Sequence, residues 1–173
     1  ASVQITASHH PYDKNGLKFF TRDGGFEAED IKTILQIADG LKEVKCVDTE
    51  AEKFDFMPRY AEILRDKMKK EINAADYEQP LKGFRIVTDA GNGAGGFFAY
   101  DVLEALGAEI SGSQFLEPDG MFPNHIPNPE NETAMSFIRR AVIENKADLG
   151  IIFDTDVDRA ACVDETGKEI NRN

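Results

Sequence analysis

The spacing of apolar residues changes rhythm several times along the chain, and each change predicts an element. Phe84-Arg85-Ile86-Val87-Thr88 is a β-rich run and predicts a strand. A glycine loop follows, Gly91-Asn92-Gly93-Ala94-Gly95-Gly96. Phe98, Val102, Leu103 and Leu106 then recur at helical spacing, and Gly107 suits a helix stop. Ala108 to Ser111 predicts a short second strand, and a proline-rich loop runs from about Gly112 to Asn131. Ala134, Phe137, Ile138, Ala141 and Val142 mark a second helix, and Leu149 to Phe153 reads as a buried third strand. Ala160 to Val163 and Glu169-Ile170 predict a hairpin about Thr166-Gly167. Strands separated by helices imply right-handed crossovers. The fold class expected is α/β: a mixed, mainly parallel sheet with helices on both faces.

The first part of the chain has a sparser pattern. Val3-Gln4-Ile5 and Leu17 to Phe20 predict two strands. Ile31, Ile34, Leu35, Ala38 and Leu41 predict a helix stopped near Gly40. A longer helix is expected after Pro58, with Tyr60, Ala61, Leu64, Met68 and Ile72 on one face. Two short strands and two helices cover each other's apolar surfaces poorly. The expectation is an incomplete α/β first domain, with strands upstream of Ala1 missing. The polar stretch Tyr77-Glu78-Gln79-Pro80 predicts a boundary, dividing the chain into residues 1–79 and 80–173.

Composition narrows the function classes. A chain of 173 residues can bury roughly two-thirds of its unfolded surface, enough for a real core. It carries 20 basic and 32 acidic side chains, a formal −12, which argues against nucleic acid or an anionic membrane as the main partner. No run of apolar residues exceeds four, so neither a membrane span nor a signal-peptide core is expected. Cys46 and Cys162 do not make a disulfide framework, and a reducing cytoplasmic setting is the default.

Three loops carry candidate chemistry. In Asp154-Thr155-Asp156-Val157-Asp158-Arg159, carboxylates alternate immediately after an apolar strand. Packing three anions together is costly unless a cation lies between them, and an all-oxygen ligand set favours Mg²⁺ or Ca²⁺ over zinc. Arg159 would neutralise a phosphate brought to that metal. An EF-hand is rejected: Arg159 stands where the loop needs glycine, and a strand precedes it where a helix is required. A phosphatase of the aspartyl-phosphate type also places acids after a strand and stays open. Gly91, Gly93 and Gly96 match a dinucleotide-binding spacing between strand and helix, although Glu109 comes too early for the acid such a site needs. The alternative is a tight turn that needs small residues for packing. In Thr6-Ala7-Ser8-His9-His10-Pro11, Ser8 is placed for nucleophilic attack, with His9 and Lys18 as proton carriers or phosphate contacts. No acid completes a hydrolase triad and no nucleophile-elbow pattern is present.

Taken together, these loops resemble the α-D-phosphohexomutase family, which includes phosphoglucomutase and phosphomannomutase. Thr6 to Pro11 resembles its phosphoserine loop, and Asn15-Gly16-Leu17-Lys18-Phe19 the segment that follows. Asn92 to Gly96, Pro118-Asp119-Gly120, Pro123-Asn124-His125 and Pro127-Asn128-Pro129 resemble the second domain, and Asp154 to Arg159 the metal loop. The wording is most similar to the phosphoglucomutase/phosphomannomutase branch of bacteria and plant plastids.

The resemblance implies a phosphoryl group on Ser8, and one Mg²⁺ held by Asp154, Asp156, Asp158 and a phosphoserine oxygen. It implies catalytic roles for His9, Lys18 and Arg159. It implies a hexose phosphate substrate, a hexose 1,6-bisphosphate intermediate, and glucose or mannose 1,6-bisphosphate as activator. It makes the glycine loop structural and the setting the cytoplasm, or the plastid of a plant. The pattern departs from the family at His10, Thr155 and Val157. The matched motifs cover the end of the first domain and the second domain. That implies a fragment, inactive alone, whose partners are the remaining domains of the same enzyme.

Overall fold

The computed structural model describes residues 1–8, 10–43 and 50–170. The chain divides into two compact units, Ala1–Ala7 with Asp13–Phe54, and Ser8–Tyr12 with Asp55–Asn173.

The first unit is an antiparallel sheet and a helix. β1 (Ser2–Ile5) pairs with β2 (Leu17–Thr21), and β2 with the short β3 (Gly24–Gly25). Helix α1 (Ala28–Gly40) begins in a capping box, where Asp30 accepts from the Glu27 backbone at 2.9 Å. The sequence predicted both strands and this helix. It also predicted poor mutual cover: no residue of α1 is buried, and Ile5 is 72% exposed.

The second unit is built on a three-stranded sheet of order β4 (Ile86–Asp89), β5 (Leu149–Phe153), β6 (Ala160–Asp164). β4 and β5 are parallel, in register from Ile86↔Leu149 to Asp89↔Ile152, and β5 and β6 are antiparallel. The expected strand at Ala108 to Ser111 is instead a broken one. Glu109 bridges in parallel to Arg85, just before β4, and Gln114 to Asp89 at its end, and the left-handed Gly112 lies between them. At the break the Ser113 hydroxyl accepts from the Thr88 amide at 2.9 Å, in place of a ladder carbonyl.

Helices cover both faces. α3 (Glu132–Asn145) starts where Asn131 accepts from the Ala134 amide at 3.1 Å, and it buries Ala134, Met135, Ile138, Ala141 and Val142 against Val87, Ile152, Ala161 and Val163. The opposite face receives Val102, Leu103 and Leu106, packed with Ile86, Ala108 and Ala61. The helix predicted there is wound unevenly, a π-helical stretch at Phe98–Leu103 followed by a 3-10 turn at Glu104–Leu106, and it stops at the left-handed Gly107. Successive residues of β5 serve opposite faces, Ile151 one side and Ile152 the other, which is why that strand reads as continuously apolar.

The units part between Phe54 and Asp55 rather than at Pro80. The reason is α2 (Met57–Ile72): Ala61 is fully buried, and Leu64 and Met68 pack with it in the second unit's core. The residues from Tyr77 to Pro80 lie in the turn that leads from α2 to the sheet.

Candidate functional site

The aspartate hairpin is the tip of the β5–β6 ladder. Phe153↔Ala160 is the last ladder pair, and the Asp154 amide donates to the Arg159 carbonyl at 3.1 Å, so the six residues Asp154 to Arg159 form a closed loop. Within it the Val157 amide points to the Asp154 carbonyl at 3.4 Å, and Val157 has φ 66. A turn followed by a left-handed residue is glycine's habit, and a β-branched side chain is strained there.

This conformation gathers the predicted ligands. Asp154, Asp156 and Asp158 each present an oxygen, and the three atoms lie within 4.8 Å of one another. Asp154 is fully buried while Asp158 is exposed. Burial, then the hydrogen bond and charge of Asp158, push the Asp154 carboxyl above its ordinary pKa, against the opposing bonds from Arg159. A set of three convergent carboxylate oxygens, one desolvated, fits a hard divalent cation such as Mg²⁺ by its donor chemistry.

Arg159 is brought into the same cluster. Its amide donates to Asp154 Oδ1 at 3.1 Å and its Nε–H to Oδ2 at 3.0 Å. Nε lies 3.7 Å from Asp158 Oδ1, while Nη1 reaches Asn128 Oδ1 at 3.4 Å and Glu130 Oε2 at 3.8 Å. The two residues on that far side have no role in the sequence reading. Asn128 appears in the sequence motifs only within Pro127-Asn128-Pro129, as part of the resemblance to the family's second domain.

The glycine loop lies against the hairpin. Its amides are consumed inside the protein: Gly91 donates to Asp89 Oδ1 at 2.8 Å, Asn92 to Phe115 O at 2.8 Å, Gly93 to Ala90 O at 2.7 Å and Ala94 to Thr155 O at 2.9 Å. A Cβ on Gly93 would stand 2.7 Å from the Thr155 carbonyl oxygen, and one on Gly96 2.0 Å from that of Leu116. These glycines allow close approach of backbones, which accounts for small residues there without a ligand.

Beside the loop is a buried pair, Asp89 and His125, of which the sequence motifs include only His125, with no role attached. His125 Nε2 stands 3.0 and 3.1 Å from the two Asp89 oxygens, and Nδ1 stands 3.0 Å from the Ile126 carbonyl. Both ring nitrogens therefore face acceptors. Burial opposes charge on this imidazole, but the bond to Asp89 and its charge outweigh it, so the pKa is raised. Gln114 completes the carboxylate's shell at 2.8 Å, and Phe115 and Phe137 flank the ring.

Of the remaining predicted residues, Ser8 belongs to the loop between β1 and β2 and Lys18 to β2 itself. The Thr6 amide donates to the Gly16 carbonyl at 3.0 Å across its base. Ser8 is half-buried with φ 50, a left-handed backbone unusual for serine. Lys18 sits in β2 opposite Gln4 with its side chain exposed. His9 and Cys46 lie outside the described residues. Cys162 is half-buried in β6, and burial pushes its thiol pKa up, which keeps it protonated.

This combination of an α/β/α layer and an acidic hairpin defines a class that sequence comparison makes specific. The profile described as phosphoglucomutase/phosphomannomutase, alpha/beta/alpha domain II, matches residues 58–167, and that of domain I matches residues 1–45. The chain belongs to the phosphoglucomutase/phosphomannomutase family.

Among curated relatives, the phosphoglucosamine mutase of Caldicellulosiruptor saccharolyticus is 34% identical over 176 residues, covering 99% of this chain and 37% of that protein. The phosphoglucosamine mutase of Aliivibrio fischeri is 35% identical, with 99% and 37% covered. A solved phosphoglucomutase/phosphomannomutase family protein from Burkholderia thailandensis superposes with a TM-score of 0.74 at 29% identity, covering 97% of this chain and 34% of that one. The chain thus spans a little over a third of the length of these relatives.

Proposed function

We propose that the chain is the nucleophile-and-metal portion of a phosphohexomutase that moves phosphate between C1 and C6 of a hexose phosphate through a 1,6-bisphosphate. The observation that carries this reading is the convergence of Asp154, Asp156 and Asp158 on one buried-ended hairpin in a chain of this family. Ser8 is the proposed phosphoryl carrier, and its oxygen a further metal ligand. Lys18 and His9 are proposed to move protons and hold charge at Ser8, and Arg159 to contact the phosphate. The divalent ion, when bound, supplies positive charge to phosphoryl oxygens. The chain's own part is positioning: the hairpin gathers three carboxylates before substrate arrives.

The names of the curated relatives favour a hexosamine phosphate as the sugar, with glucose or mannose phosphate as the substrate the sequence wording suggested. Sugar selection and binding of the distal phosphate are assigned to the remaining domains of the enzyme, and the setting to the cytoplasm. Two other readings lack support. An aspartyl-phosphate phosphatase needs an accessible nucleophilic carboxylate, whereas Asp154 is fully buried with both oxygens bonded to Arg159. A dinucleotide module would draw on the amides of the glycine loop, and those of Gly91, Asn92, Gly93 and Ala94 are already bonded within the protein.

The test is a bisphosphate-dependent assay of the full-length protein on glucosamine, glucose and mannose phosphates. One of the three is expected to turn over, and Ser8→Ala to reduce that turnover to background. Unchanged turnover in Ser8→Ala would remove the phosphoserine reading.

A further inference from the structure

Arg159 occupies the carboxylate that a divalent cation most needs. Its amide and its Nε–H bind both oxygens of Asp154, at 3.1 and 3.0 Å, and Asp154 is the fully buried member of the triad. The same guanidinium has a second set of acceptors on its far side, Asn128 Oδ1 at 3.4 Å and the Glu130 carboxylate at 3.8 Å from Nη1. Asn128 is held in place: its amide donates to the Ile126 carbonyl at 2.8 Å, and its Oδ1 accepts from the Glu130 amide at 3.0 Å. The Arg159 side chain is 32% exposed, so it has room to shift between the two sets.

We infer that Arg159 is the counter-cation of the aspartate hairpin when no metal is bound, and that a divalent cation must displace its Nε–H from Asp154 toward Asn128 and Glu130. The inference rests on the metal role proposed for the triad. Two cations on one desolvated carboxylate repel each other in a medium that screens them weakly. A donor leaving a buried oxygen needs another acceptor within reach, and Asn128 and Glu130 supply it. The consequence is an order of assembly: the guanidinium stays on the buried carboxylate until the metal arrives, and shifts to its more exposed acceptors only then. Arg159 would then read out metal occupancy as well as bind substrate.

The test is calorimetric titration of Mg²⁺ into the chain and into its Arg159→Gln variant, which removes the charge. Loss of the competitor is expected to tighten Mg²⁺ binding by about tenfold. Equal or weaker binding by a folded variant overturns the inference while leaving the metal reading intact. Absence of saturable binding by the unaltered chain overturns the metal reading itself, and the inference with it. A variant that fails to fold leaves a second measurement to decide, the Arg159 Nε–H resonance of the unaltered chain. It is expected to move as Mg²⁺ saturates the site, and a stationary resonance during saturation overturns the displacement.

Discussion

Two buried aspartates stand at the ends of neighbouring parallel strands, and their surroundings differ in sign. Asp89 closes β4 and Asp154 follows β5; both are wholly buried. Asp89 is met only by donors: the Gly91 amide, the Gln114 side chain and an imidazole flanked by acceptors at both nitrogens. Asp154 is met by Arg159 but also by Asp158, with Asp156 nearby. Burial of a carboxylate therefore marks no site by itself. The first aspartate is balanced and ties β4 to the loop at His125. The second is left with excess negative charge, which suits it to receive a cation.

The contrast can be broken most forcefully at Asp89. Asp89→Ala strips His125 of its partner inside the protein, and losing one member of a buried ion pair is expected to cost about 3–5 kcal/mol. Urea unfolding measures it, and a loss below about 1 kcal/mol would show that the pair is not balanced as described.

On the other side, Asp156→Asn removes one charge from the triad and should weaken Mg²⁺ binding by about tenfold with little effect on metal-free stability. An unaltered Mg²⁺ titration would count against the triad as ligands. Val157→Gly comes next. It relieves a β-branched residue held at φ 66 and should stabilise the metal-free chain by about 1 kcal/mol in thermal unfolding. A destabilised variant would mean that the valine contributes packing greater than its strain.

The smallest expected effect is on pH dependence, where burial opposes the Asp89 bond and charge that raise the His125 pKa. Its folded pKa is raised, so its contribution to stability is complete below the unfolded value of about 6.5 and fades as pH rises through the folded value. Asp154 is also raised, so its contribution is present below about 3.9 and is lost as pH rises through its own folded value. At neutral pH the hairpin therefore carries its full repulsion, and Mg²⁺ should raise the melting temperature there more than at pH 4. Equal Mg²⁺ stabilisation at both values would contradict the assignment of Asp154.

Sequence periodicity was enough for most of the fold. The helices at Ala28–Gly40, Met57–Ile72 and Glu132–Asn145, and the strands at Leu17–Thr21 and Leu149–Phe153, follow spacing that local burial enforces. The domain division was less legible, because α2 reads as an amphipathic helix whichever unit it packs on, and only its buried Ala61 decides. The broken strand at Glu109 and Gln114 was also hidden, since a side chain of Ser113 replaces a ladder carbonyl.

At the candidate site, alternation of Asp154, Asp156 and Asp158 gave the cluster. It could not give the reach of Arg159 to Asn128, 31 positions away, or the Asp89–His125 pair, 36 positions apart. For Ser8 and Lys18, the family resemblance remains the stronger guide to role than their local geometry.

Gly93 gives the glycine loop a different kind of importance. Any side chain there would press on the Thr155 backbone from 2.7 Å away, between two of the aspartates. In a saturation scan of the gene, this position should tolerate substitution as poorly as the acidic residues do, although it has no group to offer a ligand. Sensitivity to mutation at Gly93 would thus map the mould around the acidic hairpin, and chemistry assigned from such a scan alone would be drawn one loop too wide.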